Sequence, residues 1–355
     1  MTNYIKKDIR TLSVKDLKVF FESNNIETYR ANQIYEWLWV KGVSDFNLMT
    51  NLSIDFRKFL QKYFTINNIK VESIQKSIDG TIKNAVKLYD NKIVESVLIP
   101  TKNRITACIS SQVGCSLNCK FCATSKLKRL RNLNVDEIFD QVKFIDNQSK
   151  SFYKRPITNI VYMGMGEPLM NYENVIKSIE KITSKSGLGF SPRRITVSSV
   201  GFPKFIKKMA DQKIKFNLAI SLHSAIQSVR EFLMPFSNKI LIEDLIDSLR
   251  YWINIKKSII TFEYIVFDGI NDSEKDIIEL IKICKKIPSK VNLIQYNSIN
   301  DDNFRNASIK SINRYSKLLS ENNIINTIRK SRGDDIDAAC GQLANNSLNL
   351  KKIKY

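Results

Sequence analysis

The chain of 355 residues carries 56 Lys and Arg against 35 Asp and Glu, a formal net charge of +21. At roughly 150 residues per domain this length suggests about two domains, or one large domain with an appendage. Hydrophobic residues at 43% supply a core, while 11 Gly and 7 Pro exclude collagen, flexible linkers and a mostly disordered chain.

From Met1 to Phe20 charged and apolar residues mix, so the apolar stretch of a secretory signal is lacking. No later run approaches the roughly 18 apolar residues of a membrane helix, so a cytoplasmic location without a membrane partner is expected. Residues 1–65 read as a helical accessory domain. Ser13 can cap a helix over 14–23, Ile34, Trp37 and Leu38 mark a second, and Ile54, Phe56, Phe59 and Leu60 begin a third. Over 66–100 the period drops to about two, which predicts a β-rich connector with strands at 82–88 and 93–99.

Beyond residue 100, strands are expected at 105–110, 158–163, 195–199, 216–222, 259–266 and 291–296. Helical periods lie between them, and another over 309–319 follows the last. Six strands, each followed by a helix, predict an α/β fold: a partial (βα)6 barrel over 101–300, with residues 301–355 as a C-terminal extension. The Asn- and Lys-rich tail from Asn345 to Tyr355 reads as frayed.

Six Cys are too few for a disulfide framework, and clustered Cys in a reducing compartment point to metal or redox chemistry. Gly114-Cys115-Ser116-Leu117-Asn118-Cys119-Lys120-Phe121-Cys122 follows the first barrel strand, where functional residues collect. Three thiolates at Cys-x3-Cys-x2-Cys spacing can wrap one centre. A tetrahedral zinc site would take a fourth ligand such as Cys108; an iron–sulfur cluster held by three Cys keeps one iron open. Phe121 can shield such a centre from water.

Cys115, Cys119 and Cys122 with Phe121 resemble the signature of radical S-adenosylmethionine (SAM) enzymes. The likeness extends through Ser110-Ser111-Gln112-Val113-Gly114-Cys115 and Met163-Gly164-Met165-Gly166-Glu167-Pro168. It continues in Arg332-Gly333-Asp334-Asp335-Ile336-Asp337-Ala338-Ala339-Cys340-Gly341-Gln342-Leu343. Together these resemble the dual-specificity RNA adenine-C2 methyltransferases, with a weaker echo in the helical N-terminus.

The resemblance implies a [4Fe-4S] cluster on Cys115, Cys119 and Cys122, and two SAM per turnover, one a methyl donor and one a radical source. The RNA targets implied are one adenine in 23S rRNA and the adenine beside the tRNA anticodon. Cys340 matches the methyl-carrying cysteine and Cys108 the thiol that resolves the enzyme–RNA link through a transient disulfide. Glu95 matches the proton acceptor. Gly166, Glu167, Ser198, Ser221, Leu222, His223 and Asn297 match SAM contacts. Radical chemistry suits the target, because C2 of adenine is electron-poor and its hydrogen is not acidic.

Without the resemblance, blander readings stand beside these. Cys340 in a small-residue stretch and Cys108 in a strand could simply be buried, as free Cys often are. Glu95 in an apolar strand would by alternation face solvent. Gly164 and Gly166 could serve a tight turn, the single histidine His223 a structural bond, and Cys284 the core. The positive charge predicts an anionic partner, nucleic acid before a membrane surface, although the Lys-, Ile- and Asn-rich composition could inflate it. Phosphate-binding candidates are Lys126, Lys128, Arg129 and Arg131, then Arg193-Arg194, Lys207-Lys208 and Arg329-Lys330-Arg332. A reducing electron donor is also required. Rival readings are an adenine-C8 methyltransferase using the same two cysteines, and a non-enzymatic zinc-dependent RNA-binding protein.

Overall fold

The computed structural model describes residues 6–299 and 303–344, so the Asn345–Tyr355 tail lies outside the described residues. Three helices open the chain: α1 (Val14–Glu22), α2 (Arg30–Glu36) and α3 (Ile54–Tyr63). Ser13 and Asp16 cap α1 reciprocally, each side chain accepting the other's amide. Leu17, Phe21, Ile34, Phe56 and Leu60 close a small core. This helical unit is seated on the rest of the molecule through Arg10 and Trp39. The buried Arg10 guanidinium pairs with Asp136 at 3.2 Å and Asp140 at 2.9 Å, and Trp39 meets Phe139 edge-on at 5.1 Å. All three partners lie on one helix, α4 (Val135–Tyr153).

Apart from two short two-stranded pairs, 7–8 with 64–65 and 112–113 with 131–132, ten strands form one sheet among the described residues. In chain order they are β1 (Lys70–Lys76), β2 (Ile82–Lys87), β3 (Ile93–Pro100), β4 (Ile105–Cys108), β5 (Asn159–Tyr162), β6 (Ile195–Ser199), β7 (Asn217–Ser221), β8 (Ile260–Ile265), β9 (Ser289–Ile294) and β10 (Ile325–Arg329). Each lies beside its predecessor, antiparallel from β1 to β4 and parallel from β4 to β10. Helical crossovers join the parallel strands, as that geometry demands. The expected partial barrel of six βα units is present, and β8 is buried along its whole length, as a strand covered on both faces should be.

Three features extend the expectation. The 66–100 strands continue the barrel's sheet, because β3 pairs directly with β4. A seventh parallel strand, β10, is added at the far edge. The last expected strand begins earlier, at Ser289.

Candidate active site

The C-terminal ends of β4 to β10 converge on two adjoining cavities. The cysteine loop leaves β4 through Gln112–Val113, which pairs with Arg131–Asn132 and closes the loop at its base. Gly114 sits there at φ +75, and a Cβ on it would fall 2.3 Å from the Lys128 carbonyl oxygen, so only glycine fits. The loop is held elsewhere by Lys120 N–H donating to the Leu233 carbonyl at 3.0 Å and Ala123 N–H donating to the Gly341 carbonyl at 2.7 Å.

Cys115, Cys119 and Cys122 all line the first cavity. Burial pushes the Cys115 thiol up to about 11 and Cys119 well above its ordinary value, so loss of their protons must accompany metal binding. Three thiols carried by one loop around a common cavity are a donor set that fits an iron–sulfur cluster with one open iron. Phe121 turns inward, its ring 4.8 Å from His223 and 5.5 Å from Phe267.

The opposite wall comes from the strand ends. Gly166, Glu167, Ser198, Ser221 and His223 line the same cavity. Gly166 (φ +93) packs so closely on Gln112 that a Cβ would lie 2.4 Å from that side chain. Both Glu167 carboxylate oxygens accept backbone amides, from Leu169 at 2.9 Å and Val200 at 3.0 Å. Burial pushes its carboxyl up to about 7 against these bonds and the Ser199 hydroxyl. His223 Nδ1 accepts the Ile265 amide at 3.1 Å, which leaves the proton on Nε2. Burial, reinforced by Arg230, pushes His223 down to about 3, so it is a neutral donor and no base at neutral pH. Leu222 is buried behind this wall, its amide donating to the Glu263 carbonyl at 3.1 Å.

The second cavity is lined by Cys108, Asn297, the 329–332 stretch and Cys340. Asn297 therefore faces this space rather than the first; its Nδ2 donates to the Cys340 carbonyl at 3.1 Å. Cys340 lines both cavities. Its surface is accessible because unfilled space lies on either side, yet surrounding protein still pushes its thiol up, with Arg329 opposing. Burial and the nearby Cys340 push Cys108 up to about 12. All six cysteines are free thiols.

The Cys340 segment is latched along its length. Thr124 Oγ1 donates to the Leu343 carbonyl at 2.6 Å, and Gly333 N–H donates to Asp79 Oδ2 at 3.0 Å. Gly333 takes φ +70, and a Cβ there would meet Thr81 and Ala338 at 2.8 Å. Under this segment lies Glu95, fully buried rather than facing solvent. Glu95 Oε2 accepts the Ala344 amide at 2.9 Å, and Oε1 lies 3.7 Å from the buried Lys83 ammonium. Lys83 also donates to the Asp337 carbonyl at 3.3 Å.

Several charges read from sequence as phosphate ligands are paired with carboxylates of the chain itself. Arg131 grips Asp90 at 2.8 Å and Glu137 at 2.7 Å, Lys208 pairs with Glu173 at 2.7 Å, and Arg329 lies 3.5 Å from Glu263 on the cavity wall. Cys284 is buried in the core, as expected. Sequence reasoning missed Lys83 and Arg230. A signal for Lys83 existed: Ala85 is opposite Glu95 and Lys83 opposite Val97, so Lys83 and Glu95 are diagonal neighbours on one sheet face.

The chain is similar to known proteins in sequence and in fold. The Radical SAM superfamily matches residues 109–281, and the ribosomal RNA large subunit methyltransferase N-terminal domain matches residues 7–66. A probable dual-specificity RNA methyltransferase RlmN of Flavobacterium psychrophilum is 57% identical over 97% of this chain and 99% of its own. The dual-specificity RNA methyltransferase RlmN of Geotalea uraniireducens is 39% identical over 95% of this chain and 96% of its own. The crystal structure of a radical SAM methyltransferase from Sphaerobacter thermophilus superposes with TM-score 0.89 at 34% identity, covering 95% of this chain and 99% of that one. Matched in both its helical unit and its barrel, and along nearly its whole length, the chain belongs to the RlmN family of radical SAM RNA methyltransferases.

Proposed function

We propose that the enzyme methylates C2 of one adenine in 23S rRNA and of the adenine beside the anticodon in tRNA, consuming two SAM per turnover. The observation that carries this reading is Cys340 on the wall shared by both cavities, with Cys108 lining the second. A methyl carrier must meet the cofactor on one side and its acceptor on the other. Membership of a methyltransferase family sets aside the non-enzymatic zinc-binding reading.

Cys115, Cys119 and Cys122 would hold the [4Fe-4S] cluster; Gly166, Glu167, Ser198, Ser221 and His223 would hold SAM, with Leu222 fixing the backbone beside them. When bound, cluster and SAM supply a one-electron cleavage that generates a carbon radical able to take hydrogen from a methyl group. The chain's own residues do the rest. Cys340, as thiolate, would be the nucleophile toward a sulfonium methyl, keeping the methyl group as its bond to the sulfonium sulfur breaks and the demethylated thioether departs. That carbon, after losing hydrogen, bonds to C2. Glu95 takes the C2 proton while the C–H electrons stay with the ring. Cys108 then bonds to the Cys340 sulfur as the sulfur–methylene bond breaks; the released carbon takes up the Cys108 thiol proton to become the methyl group, the unpaired electron of the adduct passes to a one-electron carrier, and a disulfide remains. Asn297 steadies Cys340 through its carbonyl. The Ala344 amide, donating to Glu95 Oε2, ties the proposed base to the Cys340 segment.

The target must leave its stack to reach Cys340. The net charge of +21 and the family's RNA substrates support action on RNA in the cytoplasm, with electrons supplied by an external one-electron donor. Nucleosides from ribosomal and transfer RNA of cells with and without the gene test the reading. Loss of 2-methyladenosine from both RNAs on deletion is expected; 8-methyladenosine in its place would overturn the regiochemistry.

A further inference from the structure

Arg230 lies on the helix Gln227–Leu233 and is fully buried. Its Nη2 donates to the Val200 carbonyl at 2.6 Å, while Nε and Nη1 have no hydrogen-bond partner. Among the described residues it has no carboxylate partner; the one acidic side chain that acts on its charge is the Cys119 thiol. Burial pushes the guanidinium down to about 10, which still leaves it protonated at neutral pH.

A buried cation without a counter-charge opposes folding, and two unbonded donors add to the cost. Such a group makes physical sense where an anion completes it. The surroundings identify the place. The Leu233 carbonyl, one turn along from Arg230, accepts the Lys120 amide of the cysteine loop at 3.0 Å. The carbonyl that Arg230 binds belongs to Val200, whose amide binds Glu167 at 3.0 Å. Arg230 thus joins the cysteine loop to the cofactor wall. The anion with the right position is the cluster itself: three thiolates outweigh the two positive charges of an oxidised [4Fe-4S] core, and an added electron deepens the negative charge.

We propose that Arg230 is the internal counter-ion of the iron–sulfur cluster, a positioning residue whose charge and two free donors favour the reduced form. This rests on the cluster assignment to Cys115, Cys119 and Cys122. Net charge near a cluster and hydrogen bonds to its sulfurs set its potential. Loss of the cation should therefore make the cluster harder to reduce.

The test uses the anaerobically loaded full chain, titrated with titanium(III) citrate as one-electron reductant, with the reduced cluster read by electron paramagnetic resonance. In Arg230→Gln the reduced-to-oxidised ratio at fixed poise should fall about tenfold or more, equivalent to about 59 mV for a one-electron couple. Methylation of Cys340, a displacement that takes no electron, should persist and be seen by mass spectrometry. A smaller fall with the cluster retained overturns the proposal. Should the Gln variant fail to fold, Arg230→Lys carries the test, because lysine keeps the charge without the guanidinium fork. A fall of less than tenfold supports the counter-ion role; a larger fall assigns Arg230 to packing and overturns it. If the parent chain itself shows no iron–sulfur spectrum, the cluster assignment fails first and the counter-ion with it.

Discussion

The two cavities meet at Cys340 but are built in opposite ways. The first takes its three thiols from one short loop, closed at its base by the 112–113 and 131–132 pair. The second gathers Cys108, Asn297, Arg329 and Cys340 from the first barrel strand, the loop after β9, the added edge strand and the chain beyond it. A site carried by one loop stands or falls with its ligands. A site assembled by topology depends on the latches that keep distant segments in register, so damage to it should be graded.

The largest effects should separate the cavities cleanly. Cys119→Ala should abolish both the iron–sulfur absorbance near about 400 nm and SAM cleavage; retained cleavage would refute its ligand role. Cys340→Ala should leave that absorbance and SAM binding intact yet abolish methyl transfer to RNA, assayed with labelled SAM. Next comes the buried pair beneath the Cys340 segment. Lys83→Ala removes the ammonium that lies 3.7 Å from the buried Glu95 carboxylate and should cost about 3–5 kcal/mol in urea unfolding. A loss below about 1 kcal/mol, the value of an exposed pair, would show that the pair is not sealed.

Smaller effects sharpen the comparison. Gly333→Ala forces a side chain into left-handed backbone against Thr81, a strain of about 1–2 kcal/mol. It should loosen the latch and speed alkylation of Cys340 by iodoacetamide while leaving Cys115 unchanged. An unchanged rate would mean that Gly333 does not position the carrier. The smallest effect concerns charge. Arg131 is already spent on Asp90 and Glu137, so Arg131→Ala should leave the salt dependence of RNA binding unchanged. Removing a side chain that does neutralise a phosphate would instead lower that slope by about 0.9 for duplex-like RNA.

These differences follow from what a sequence can carry. The six barrel strands were legible because short β-branched runs, continuously buried in Ile260–Ile265 and alternating in Ile195–Ser199, break the helical period around them. Strand β10 was not: Ile325 is 61% and Ile328 42% exposed, and backbone pairing with β9 holds the strand rather than any apolar pattern of its own. The seven-residue helix Gln227–Leu233 has no side-chain cap to announce it. The cysteine triad was legible as spacing. Alternation misjudges Glu95, since one-sided burial assumes one open face; here α4 and the Cys340 segment both cover the β3 region. Arg230 could not have been found by motif, because its meaning lies in partners it lacks.

The edge strand β10 has a mechanical corollary. By pairing with β9 as far as Arg329, it shortens the free span between the barrel and Cys340 to the residues that follow. A short span narrows the positions the carrier sulfur can take, so the edge strand contributes to aim.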